Sequence, residues 1–97
     1  MKRDEILTYL KKNKQELAQQ YGVTSIGLFG SYARNDARED SDLDIAIEMT
    51  PEKKSLQNFL GLKRTLEKHF GTSVDLGFES TLKPLVRDRV KNEILYV

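Results

Sequence analysis

A chain of 97 residues, 38% hydrophobic and 32% charged, suffices for one small domain and is too short to enclose a long substrate tunnel. No run approaches the roughly 18 apolar residues of a membrane span, Met1–Glu5 carries no secretory pattern, and the lack of cysteine excludes disulfides and thiolate metal sites; a cytoplasmic protein without membrane contact is expected. The net charge of +1 hides an asymmetry, because Arg34–Glu48 carries six acids against two bases, a balance of −4 that leaves +5 elsewhere. An acidic centre in basic surroundings suits a cation-dependent enzyme that handles polyanions.

Apolar residues from Asp4 to Tyr21 (Ile6, Leu7, Leu10, Leu17, Ala18, Tyr21) recur at helical spacing, which predicts an amphipathic helix stopped by Gly22. Its Lys11, Lys12 and Lys14 have no interleaved aromatic residues and read as a solvated face. Val23–Phe29 predicts a central strand ending at Gly30, and Ser31 is the expected N-cap of a short helix, Tyr32–Asn35. Leu43–Met49 alternates, with Leu43, Ile45, Ile47 and Met49 on one face and Asp44, Ala46 and Glu48 on the other. Thr50-Pro51 breaks it. Ser55–Phe70 is again helical, closed by Gly71, and Ser73–Phe78 alternates with Asp75 opposite Val74, Leu76 and Phe78. A helix over Thr81–Ile94, with Pro84 in its first turn, and an edge strand at Leu95–Val97 complete the chain.

This order predicts a single α/β (α+β) domain over residues 1–97. A small mixed sheet of three to four strands carries its helices mainly on one face, so the other face is left open. By parity Asp42, Asp44 and Asp75 all fall on that open face. Side chains two apart in a strand stand roughly 6.5–7 Å apart, and neighbouring strands about 4.8 Å, so the three carboxylates can converge if their strands pair. So close together they repel, and a divalent cation relieves the repulsion; all-oxygen ligation points to Mg²⁺, or Mn²⁺.

Gly30-Ser31 supplies the complementary half, since a glycine at a strand end lets a phosphate approach backbone amides. Phosphate on the turn and metal on the carboxylates suits nucleotidyl transfer with two ions, and Asp75 is then the natural general base. Each piece alone is ordinary: Asp-x-Asp recurs in surface strands, and Asp36, Glu39 and Asp40 read as solvated loop. The set together carries the inference.

Gly30-Ser31, ten residues, then Asp42-Leu43-Asp44, within GSYARNDAREDSDLDIAI, resembles the signature of the DNA polymerase beta-like nucleotidyltransferase superfamily. The short length and the endings Lys83-Pro84-Leu85 and Ile94-Leu95-Tyr96-Val97 resemble its minimal (MNT) branch. The resemblance implies a polymerase beta palm-like fold and Mg²⁺-dependent transfer of a nucleoside monophosphate, usually AMP from ATP. It implies Asp42, Asp44 and Asp75 as metal ligands and Gly30 and Ser31 on the triphosphate. Arg34 either faces the triphosphate or pairs with Asp36 or Glu39. Members of the branch are commonly antitoxins of HEPN-domain RNase toxins, in some cases by adenylylating a tyrosine of the toxin. Asn35 stands where the family usually has glycine, and it tolerates the left-handed backbone such a turn needs.

Of the remaining candidates, His69 reads as a cap or solvent-facing group, Tyr32 as packing within the protein, and Arg87, Arg89 and Lys91 as a solvated helix face. Two rival functions stay open: a non-catalytic antitoxin that masks its partner, and transfer to a small-molecule alcohol. Direct nucleic-acid binding is not expected, because there is no thumb-like region and no basic stripe with aromatic residues.

Overall fold

In the computed structural model, which describes residues 1–85 and 94–97, two amphipathic helices bury their apolar stripes against one face of a four-stranded sheet. Helix α1 (Arg3–Tyr21) contributes Ile6, Leu10 and Leu17, and α3 (Leu56–Phe70) contributes Leu62 and Leu66. They meet Ile26 and Leu28 of β1 (Val23–Phe29) and Leu43, Ile45 and Ile47 of β2 (Leu43–Met49), all fully buried. Gly22 and Gly71 end the two helices as expected, and Ser55 caps α3 by accepting a bond from the Asn58 amide at 3.1 Å. The Tyr21 hydroxyl, 2.6 Å from Thr65 Oγ1, ties α1 to α3.

The strand order is β3-β2-β1-β4. β1 runs antiparallel to β2 and to β4 (Leu95–Tyr96), which forms the expected edge strand. β3 (Val74–Phe78) lies parallel to β2, a pairing that α3 makes possible as the crossover between them.

The face away from α1 and α3 is less open than the alternation suggested. Gly27, Ala46 and Gly77 sit opposite one another across β1, β2 and β3, forming a row of small residues. Leu82 of α4 (Glu79–Leu85) and Ile94 pack onto this row, so Ala46 is fully buried despite sharing a face with Asp44. At the end of the face that carries the carboxylates, Asp44 is half-buried and Asp75 exposed.

Helix α4 begins at Glu79 rather than Thr81, and Pro84 therefore lies beyond its first turn. The cause is long-range: the Glu48 carboxylate accepts the Ser80 amide at 2.8 Å and satisfies the helix start. The rest of the expected Thr81–Ile94 helix, with Arg87, Arg89 and Lys91, lies outside the described residues; Ile94 itself is not helical. His69 is exposed and stacks on Tyr9 with ring centroids 3.6 Å apart. Tyr32 packs in the core, as expected. Among the described residues no helix is long and apolar enough to cross a membrane.

Candidate active site

The site forms where β1 gives way to a single helical turn, α2 (Gly30–Ala33). Gly30 adopts φ +76, a left-handed conformation that L side chains rarely take, and this turns the chain sharply off the strand. The helix consequently starts two residues earlier than expected. Phe29 occupies the cap position in extended conformation, and Ser31 lies inside the turn without capping it. The turn is fastened by Arg34 N–H to Gly30 C=O at 3.1 Å and by Asp36 N–H to Ser31 C=O at 3.0 Å. Asn35 takes φ +62 in the left-handed role foreseen for it. From α1, Arg3 Nη1 donates to the Ala33 carbonyl at 3.3 Å.

Register brings the carboxylates to this turn. Asp44 pairs with Phe29 of β1 on one side and with Asp75 of β3 on the other. Asp44 therefore sits between the residue that precedes Gly30 and the second carboxylate. Its surroundings push its carboxyl up to about 6: burial does most, followed by the charge of Asp75, a hydrogen bond shared with Asp75 and the charge of Asp42, with Arg34 pulling the other way. Arg34 is thus close enough for its charge to act on Asp44, and it pairs with Asp36 at 3.3 Å, the ion pair that was one of its two readings.

Asp42 stands just outside the strand. It precedes β2 and lines a shallow depression of about 590 Å³ with Glu39, Asp40, Glu67 and Ser73. The structure brings Gly30, Asp44 and Asp75 together, and Asp42 is near enough for its charge to act on Asp44. Among the described residues, no three histidine or carboxylate side chains stand gathered as a metal cage. The donor chemistry nevertheless fits a hard divalent cation: two facing carboxylates, one already holding its proton too tightly for an ordinary aspartate, with a third carboxylate nearby.

Two residues supporting this arrangement escape a reading of the sequence alone. Glu67 of α3 accepts the Val74 amide at 3.0 Å and so anchors the strand at the residue before Asp75. Glu48, two residues beyond Ala46 on the carboxylate face, is spent on the start of α4 and on an ion pair with Lys54 at 3.7 Å. Parity with Asp44 was a signal for Glu48; for Glu67 there was none, because its partner is distant in the chain.

Comparison with known proteins gives this geometry its family. The nucleotidyltransferase domain model matches residues 10–97. The chain belongs to the nucleotidyltransferase family. This nucleotidyltransferase is 43% identical over 94 residues to the protein adenylyltransferase MntA of Thermococcus cleftensis, a match covering 97% of the chain and 94% of the relative. It superposes with a TM-score of 0.78, at 35% identity, on a solved structure whose name assigns it to the minimal nucleotidyltransferases, covering 98% of this chain and 95% of the other. A toxin-antitoxin structure with AMP-PNP shares the fold at 20% identity and a TM-score of 0.68, over 89% of this chain and 70% of that one.

Proposed function

We propose that residues 1–97 form one minimal nucleotidyltransferase domain that moves AMP from ATP to a hydroxyl of a partner protein. On the resemblance, the acceptor is a tyrosine of a HEPN-domain RNase toxin, and the chain is its cytoplasmic antitoxin. The observation that carries this reading is the registered pair Asp44 and Asp75, set beside the left-handed Gly30 turn.

Asp42, Asp44 and Asp75 would hold Mg²⁺, as two ions with Mn²⁺ as a possible substitute. When bound, the metal makes the attacking hydroxyl easier to deprotonate and stabilises the charge of the departing pyrophosphate. The chain's own residues supply the rest. The absent side chain at Gly30 leaves room for the Asp44 carboxylate against the turn, whose backbone amides would meet the triphosphate, while Ser31 offers a hydroxyl to it and Arg34 offers positive charge. Asp75, exposed at the rim, would accept the acceptor's proton. The bond from hydroxyl oxygen to the α-phosphorus forms as the bond from that phosphorus to the bridging oxygen breaks, and pyrophosphate leaves. The relative named protein adenylyltransferase supports a protein as the acceptor.

The test is incubation with α-³²P-labelled ATP and Mg²⁺, with and without the product of the adjacent gene. Label should appear on that partner and vanish with Asp42→Asn/Asp44→Asn. A stable complex with no labelled protein would overturn the reading in favour of masking.

A further inference from the structure

Helix α3 turns Leu56 and Leu60, one turn apart, toward solvent at 73% and 39% exposure. Beside them the rings of Phe59 and Phe78 stand 5.2 Å apart and floor a groove of about 370 Å³. Lys54 closes one end, its ammonium 4.5 Å above the Phe78 ring. Large exposed apolar side chains grouped around a groove mark interaction surfaces far more often than scattered single ones do.

Charge identifies the occupant. Residues 52–64 hold Lys53, Lys54, Lys63 and Arg64 against Glu52, and with Lys54 paired to Glu48 a balance of +2 remains. Lys63 and Arg64 follow Leu60 by three and four residues, so they flank it on the helix surface. Among the described residues neither pairs with a carboxylate. An apolar groove with a basic rim is complementary to a helix that has an apolar stripe and acidic flanks.

We infer that this groove docks an acidic amphipathic helix of the partner protein, whose apolar residues cover Leu56, Leu60 and Phe59 while its carboxylates meet Lys63 and Arg64. The inference rests on the reading that the chain acts on a protein. It also says where that protein sits. Phe78 lies three residues beyond Asp75 on β3 and on the opposite face, so a helix docked here leaves the carboxylates uncovered. The partner is held from behind while its acceptor hydroxyl reaches the site from the open side.

The probe is a pair of fluorescent synthetic helices carrying leucine at i, i+3 and i+7, one flanked by glutamates and one by lysines, titrated into the full chain. The glutamate helix should bind at least tenfold more tightly than its twin and weaken on adding salt. Leu56→Ser/Leu60→Ser should cost it at least tenfold, and Lys63→Glu/Arg64→Glu should reverse the preference. The charge variant leaves the apolar residues intact, so it keeps the test decisive if the serine variant melts early. Equal binding of both helices, or binding indifferent to these variants, overturns the inference. So does sedimentation showing that the chain dimerises alone through Leu56 and Leu60, since the groove would then be a self-interface. The labelling experiment reads separately: no AMP transfer with peptide selectivity intact sinks the adenylylation and leaves the groove standing.

Discussion

Gly30 and Asp44 compete for the same space: a Cβ on Gly30 would overlap Asp44 Oδ2 and come within 2.9 Å of its Cγ. The glycine is needed twice over, for its left-handed backbone and for the carboxylate lying against it. The turn that follows β1 and the strand that offers the carboxylate are thereby fitted to one another.

Gly30→Ala should therefore destabilise the fold by roughly 1–3 kcal/mol and displace Asp44. Urea unfolding measures the first effect. Nucleotide transfer per folded molecule measures the second, and it should fall at least tenfold. Full activity in a folded alanine variant would show that Asp44 does not need its present position.

Asp44 also sets a pH dependence. Its carboxyl is raised from 3.8 to about 6, so between those values the folded chain keeps a proton that the unfolded chain has released. Stability without metal should accordingly be highest below that window and decline as pH rises through it. Asp44→Asn should flatten the decline and raise metal-free stability at pH 7 by about 1 kcal/mol, after allowance for solvent screening of a half-exposed group, while abolishing transfer. Urea melts in EDTA at pH 4 and pH 7 check the sign.

Mg²⁺ should raise the melting temperature of the wild type, because a ligand that binds only the folded chain stabilises it by mass action. The increment should shrink from pH 7.5 to pH 5, where the proton on Asp44 competes with the cation. It should disappear in Asp44→Asn. Scanning calorimetry with Mg²⁺ and with EDTA makes the comparison.

On the covered part of the carboxylate face, a Cβ on Gly27 would meet Ile94 Cγ2 at 2.5 Å. Gly27→Val should cost about 1–3 kcal/mol by overpacking and loosen β4 without touching the carboxylates. Thermal melts should register the loss, while transfer below the melting temperature stays near the wild-type rate.

Much of this arrangement is legible in the sequence, and the exceptions have physical reasons. Alternation is local, so the faces of β2 and β3, with Asp44 and Asp75 on one side, followed from spacing alone. Leu82 and Ile94 over Ala46 did not, because that cover depends on Gly27, Ala46 and Gly77 being neighbours, which only strand order reveals. Asp42 lies outside the strand, where alternation alone does not fix the direction of a side chain. The helix start at Gly30 was displaced by a backbone angle that residue names do not announce.

The register of Asp44 with Asp75 has a consequence for the life of the molecule. The two carboxylates come from distant parts of the chain and meet only when the crossover through α3 has closed and β3 has docked on β2. No local fragment holds both, so a half-folded or clipped chain is catalytically silent. A ligand that binds across the paired carboxylates stabilises the folded chain by mass action, and should slow its proteolysis accordingly.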